Sequence, residues 1–155
     1  MTTTYHLFDV AERIEVVSAE TYAALAVVWA GDAEAKALFL QLQEEELQHA
    51  ARVRLLAARY RHDPRIVRLA QAGACELERL LGDCEAMLVD IRAGRWPHGL
   101  AETKRRLAEM EARAVRAHAE FLSKDADPAL REFFERIAEQ DDAHRRLLAG
   151  EPSGS

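Results

Sequence analysis

The stretch LQLQEEELQHAARV (Leu40–Val53) holds a run of three carboxylates that ends three residues ahead of a histidine. A helix that packs one face against its neighbours repeats its apolar positions every three or four residues. Leu38, Leu42, Glu46, His49, Val53 and Leu56 make such a stripe, and an acid and an imidazole occupy two of its positions. Glu44 and Glu45 fall elsewhere on the wheel and suit a solvated acidic face. Glu46 does not: the same periodicity that buries Leu42 and Val53 places it on the packed side.

Three more stripes have this character. Phe134, Ile137, Asp141, His144 and Leu148 again set an acid and a histidine three apart among apolar residues. Ala11, Glu15, Ser18, Tyr22, Leu25 and Trp29 form another, and Leu107, Glu111, Ala114, His118 and Phe121 a fourth. One acid–histidine pair would carry little weight in so acidic a chain. Their placement carries more, because DAEAKALFLQLQEEELQH (32–49) and DPALREFFERIAEQDDAH (127–144) align at a constant offset of 95. Asp32 matches Asp127, Phe39 matches Phe134, Glu46 faces Asp141 and His49 matches His144. Glu15 and Glu111 hold equivalent points in the helices that precede them, 96 apart.

Composition rich in alanine, leucine, glutamate and arginine, with few glycines and prolines, is helical. The breakers Gly31, Pro64, Gly94, Pro97, Gly99 and Pro128 divide the chain into predicted helices near 8–30, 32–61, 99–123 and 127–149. Asp32 and Asp127 are placed as caps, with Pro128 at the tolerated first-turn position. Short links make two antiparallel hairpins. The long segment between them needs structure of its own, and LAQAGACELERLLGDCEAMLVDIRAG predicts a crossover helix near 66–92 in spite of Gly73 and Gly82. The expected fold is all-α: a four-helix bundle of two related hairpins within one domain, 1–150, followed by a disordered tail, 151–155.

A chain of 155 residues can bury a real core without staples. Its net charge of −6 argues against nucleic acid, which calls for a basic excess. No apolar run reaches the roughly 20 residues of a membrane span, and MTTTYHLFDV lacks the regions of a signal peptide, so a cytoplasmic location is expected. Cys75 and Cys84, if on one helix, lie about 13 Å apart along its axis, too far for a disulfide. Both read as reduced, and the absence of any C-x-x-C pair excludes a zinc knuckle or rubredoxin-type iron site on this chain.

Energetics sharpen the polar stripes into a site. An ionised carboxylate buried without a partner costs several kcal/mol or more, and four together repel. Two divalent cations cancel four such charges, while neutral imidazoles fill further positions. Acid and histidine at i and i+3 project from one side of a helix, so each helix can offer both to one metal pair. Mixed carboxylate and imidazole donors suit iron or manganese.

One glutamate from each of two helices and Glu-x-x-His from each of two others is the ligand set of ferritin-like di-iron proteins. AERIEVVSAETYAALA, with Glu15 seven residues before Tyr22, followed by DAEAKALFLQLQEEELQH, resembles the rubrerythrin-like group of that superfamily. The resemblance covers the two hairpins and says nothing about residues 62–98. Carried over by position, it implies Glu15, Glu46, His49, Glu111, Asp141 and His144 as ligands, with Glu46 and Asp141 bridging. It implies two Fe ions, or a manganese or mixed Fe/Mn pair. It further implies reaction with hydrogen peroxide or dioxygen as a peroxidase or ferroxidase, an external electron donor such as a rubredoxin-like protein, and a homodimer. Three departures stand out. Asp141 is one methylene shorter than the usual glutamate, Ala114 stands where rubrerythrins carry a second glutamate, and the rubredoxin module is missing. A non-enzymatic metal-binding or sensing bundle, and a metal-free bundle whose polar stripe lines a groove, are the competing classes.

Other residues have plainer readings. Glu12, Glu20, Glu109 and Glu120 are the helical neighbours that a register shift would promote in place of Glu15 and Glu111. Tyr22 and His118 lie two turns beyond those acids, about 10 Å along the axis. They are too distant to ligate, and either ordinary packing or a hydrogen bond to a ligand suits them. Arg52, Arg54, Arg59, Arg61, Arg65 and Arg68 form either a solvated helix end or a docking patch for an acidic electron-transfer partner. His6, His62 and His98 have no acid three residues before them and receive no role.

Overall fold

Asp32 starts the second helix as its side chain predicts: Oδ1 accepts the backbone N–H of Ala35 at 3.0 Å. The computed structural model describes residues 4–60, 64–96, 99–121 and 128–152, and over them the chain is all-α. Five helices follow in order: α1 Thr4–Val28, α2 Ala33–Tyr60, α3 Pro64–Arg92, α4 Leu100–Phe121 and α5 Pro128–Ala149. Asp127, His62 and His98 lie outside the described residues, as do the side chains of His6, Cys75, Glu120, Phe121, Arg61, Arg65 and Arg68. Among the described residues no helix is long and apolar enough to cross a membrane.

The crossover is one continuous helix, α3, which runs through both Gly73 and Gly82. Leu77, Leu80, Cys84, Leu88 and Ile91 bury one of its faces, and that burial outweighs the roughly 1 kcal/mol a mid-helix glycine costs. Its end is a glycine cap. Gly94 takes φ +70°, the Gly94 amide donates to the carbonyl of Ile91 at 3.1 Å, and Arg95 reaches back to Asp90 at 2.9 Å. Gly150 closes α5 in the same way, with Glu151 N–H on the carbonyl of Arg146. The first helix begins four residues earlier than breakers and periodicity suggest, at Thr4, because nothing in TYHLFDV stops it.

Ion pairs and core contacts give the helix directions. Glu12 with Arg54, and Glu15 beside His49, make α1 and α2 antiparallel. Arg13 with Glu85 and Glu20 with Arg92 make α1 and α3 parallel. Asp83 with Arg113, and Ile91 in one cluster with Leu107, make α3 and α4 antiparallel. Because α3 travels the length of the molecule, α2 and α4 point the same way. Then α5 returns against α4, with Asp141 opposite His118.

Two apolar clusters fill the interior. One gathers Phe8, Ile14 and Val17 of α1 with Val53, Leu80, Phe134 and Ile137. The other gathers Tyr22 and Leu25 with Phe39, Leu42, Leu107 and Leu148. Along α2 the order is Phe39 and Leu42, then Glu46 and His49, then Val53; along α5 it is Phe134 and Ile137, then Asp141 and His144, then Leu148. The polar positions therefore form a layer sealed at both ends by hydrocarbon.

Candidate metal centre

Nine polar or charged side chains are buried among the described residues, and seven of them belong to the four stripes: Glu15, Glu46, His49, Glu111, His118, Asp141 and His144. Helices α1, α2, α4 and α5 each lower at least one carboxylate into the polar layer because each keeps its apolar period through that position. Glu12, Glu20 and Glu109, the register alternatives, instead pair on the outside with Arg54, Arg92 and Arg105.

Glu15, Glu46, His49 and Asp141 bring one potential ligand atom each within 4.8 Å of one another, and Glu46, Glu111, Asp141 and His144 do the same. The two groups share Glu46 and Asp141. Each thus consists of two common carboxylates with one private glutamate and one private histidine. The structure brings all six sequence-predicted residues together, three from each hairpin, with Glu111 the most open at 7% exposure. The rings of His49 and His144 stack with centroids 5.3 Å apart and planes 13° from parallel.

Burial and mutual repulsion dominate the electrostatics. Burial first, and then the neighbouring Glu46, pushes the Glu15 carboxyl up to about 8. Burial also raises Glu111 and Asp141. For the histidines burial works against the charged ring, but the carboxylates around them win. Glu15 and Glu46 carry His49 up to about 10, while Glu111 and Glu46 carry His144 up to about 12. Protons on these groups are what neutralise the layer when no cation does.

The donor set fits a metal pair on a second, independent ground. His49 Nδ1 is fully buried, lies 3.4 Å from both Glu15 Oε2 and Glu46 Oε2, and makes no directed hydrogen bond. A buried polar atom seeks a directed partner, and this one sits at ion-pair distance from two carboxylates, where a cation would join them. His144 Nδ1 points at the other group, 2.9 Å from Glu46 Oε1 and 3.7 Å from Glu111 Oε1.

Tyr22 and His118 are hydrogen-bonded to the cluster. The Tyr22 hydroxyl donates to Glu111 Oε1, and burial followed by the Glu111 charge holds its pKa well above the ordinary range. His118 Nδ1 lies 2.9 Å from Asp141 Oδ2. Both hold a carboxylate in place from one side.

Glu45 corrects the sequence reading. It is half-buried rather than part of a solvated face, and its Oε2 lies 2.7 Å from His144 Nε2. On the helical wheel Glu45 sits beside the core face of α2. It reaches the centre only because α5 crosses there, which no pattern within α2 reveals. Its counterpart in the second hairpin, 95 residues on, is the neutral Gln140, whose Oε1 accepts from Arg52 Nη1 at 3.3 Å. The two hairpins are therefore not equivalent around the cluster.

No protein-family model, curated protein or solved structure matches this chain. The functional reading rests on the geometry of the buried layer.

Proposed function

We propose that this chain is a ferritin-like, rubrerythrin-related di-metal protein that binds two ferrous ions and oxidises them with dioxygen or hydrogen peroxide. The observation that carries the reading is the sharing of Glu46 and Asp141 by two four-residue ligand groups. A structural ion-pair network has no need of two overlapping ligand sets, whereas a carboxylate-bridged pair of cations is built from them. Helix direction supports the same reading: α2 and α4 run parallel because α3 crosses between the hairpins, the long connection of ferritin-like bundles.

In this reading Glu15 with His49, and Glu111 with His144, would each hold one metal, with Glu46 and Asp141 available to both. Iron or manganese suits the donors. Two bound ferrous ions would supply one electron each, reducing dioxygen with two protons to hydrogen peroxide, or hydrogen peroxide with two protons to two waters. The chain's own part is to hold the six donors and to exclude bulk water with the clusters around Phe39 and Phe134. Tyr22 and His118 fix Glu111 and Asp141. An external electron donor would return the metals to the ferrous state. The groove between α2 and α5, lined by Arg52, Arg59 and Arg136 and also by Glu139, would be the docking face for an acidic donor, and reduction there would slow as salt rises.

Elemental analysis after anaerobic Fe(II) loading tests the reading, with two metals per chain expected. Addition of dioxygen or peroxide should then give the charge-transfer absorption of an oxo-bridged ferric pair. A chain that retains no metal, or that keeps full stoichiometry after replacement of both His49 and His144, rules it out. Slow oxidation without return to the ferrous state would leave the metal-binding role and remove the enzymatic one.

A further inference from the structure

Helices α4 and α5 turn charged side chains outward, Arg105 with Glu109 and Glu132 with Arg136 among them. The outward face of α2 is different. Leu40, Glu44, Leu47, Ala51, Arg54 and Ala58 are all exposed, Leu40 at 43% and Leu47 at 45%. They follow one another at alternating spacings of four and three, the seven-residue repeat of a helix that packs on another helix. This repeat lies on the side of α2 opposite Leu42, Glu46 and His49, which are buried in the bundle. A helix apolar on both sides is one that is covered on both sides.

The order of residue types along the repeat selects the cover. Suppose a second copy of α2 lies antiparallel on the first, with a two-fold axis at the height of His49. Leu40 then meets the partner's Ala58, Glu44 meets the partner's Arg54 and Leu47 meets the partner's Ala51, and the same contacts recur with the roles exchanged, as an isologous interface requires. Every large side chain faces a small one, and every acid faces a base. Gln41, Gln43, Gln48 and Leu55 flank the seam, so no like charges meet there. A parallel pairing would instead set Glu44 on Glu44 and Arg54 on Arg54, at a cost of several kcal/mol. A slip of one heptad either way sets Arg54 against an alanine. Within its own chain, and among the described residues, Glu44 has the neutral Gln48 at 3.4 Å and no cation. Arg54 engages Glu12 through Nε and Nη2, which leaves Nη1 for a second carboxylate. We propose that the outer face of α2 seats a second copy of this chain, antiparallel and in this register, with Leu47 and Ala51 at the centre and a Glu44–Arg54 pair on each side. The proposal uses none of the six clustered residues and stands apart from the di-metal reading.

Sedimentation equilibrium of the whole chain is the test, and a monomer–dimer equilibrium is expected. Leu47→Glu, which sets two carboxylates beside the axis, should raise the dissociation constant about 100-fold, while the helical circular dichroism stays as in the parent. Glu44→Arg alone and Arg54→Glu alone should each raise it about tenfold, and the two together should bring it back to within about threefold of the parent. The contact of Arg54 with Glu12 lies within one chain, so its loss affects monomer and dimer alike and drops out of the comparison. Should Leu47→Glu prevent folding, the charge exchange decides alone. A parent that stays monomeric at about 100 µM, a dimer indifferent to Leu47→Glu, or a double variant no tighter than the single ones overturns the proposal.

Discussion

Glu45 reaches across from α2 to His144 of α5: its Oε2 lies 2.7 Å from the ring's Nε2, while Nδ1 of the same ring faces Glu46 at 2.9 Å. A carboxylate behind a metal-binding imidazole fixes its tautomer and makes the ring a stronger donor. Nothing equivalent acts from Gln140, which is engaged with Arg52. Glu45→Gln should weaken one of two metal-binding steps by about 10- to 100-fold and leave the other close to the parent value. Calorimetric titration with Co(II) would read the two steps, and equal weakening of both contradicts this role.

Removal of the paired histidines should be more severe. His49→Ala with His144→Ala deletes the nitrogen donor of both ligand groups and opens a void between two apolar clusters. Loss of all tightly held metal is expected, with destabilisation of a few kcal/mol on the scale of other large-to-small core changes. Metal content by elemental analysis and a denaturant titration check the two parts separately.

The metal-free protein should lose stability as pH rises from 6 to 9. Glu15 is held near 8 in the fold against an ordinary value of 4.5. The folded chain therefore binds more protons than the unfolded one between those values, and the stability this gives falls away as pH climbs through 8. His49, raised from 6.5 to about 10, acts in the same direction: its contribution is complete below 6.5 and lost on approach to 10. Thermal melts across this range should show a declining midpoint. Melts of loaded protein should be flatter, because cations then do what the protons did.

Loading should also release protons, one each from Glu15, His49 and His144, since a ligating carboxylate or imidazole nitrogen must be deprotonated. Titration in buffers of different ionisation heat measures the number. Uptake of metal without proton release would mean that these groups are not the ligands.

Asp141→Glu, which restores the longer side chain of the resembled group, should not help. Asp141 is buried, belongs to both ligand groups and is seated 2.9 Å from His118 Nδ1. An added methylene in so packed a layer costs about 1–3 kcal/mol. A lower melting temperature and weaker Co(II) binding than the parent are expected, and improvement in both would show that the layer has spare room.

The amino-acid order by itself determined the helices and the membership of the buried layer. A 3.6-residue period carried through Glu15, Glu46, Glu111 and Asp141 leaves those side chains no face but the packed one, and the 95-residue repeat places them at one height. The cap at Asp32 and the crossover helix were legible for the same reason: both follow from interactions within a few residues along the chain. The tertiary structure gathers the layer into two sets of possible ligand atoms with Glu46 and Asp141 common to both, the two residues that the resemblance implies as bridging. It alone showed that Glu45 serves His144 and that Tyr22 and His118 grip Glu111 and Asp141. Each of these depends on where one helix crosses another, and crossing is set by side chains far apart in sequence whose packing leaves no periodic trace in either helix.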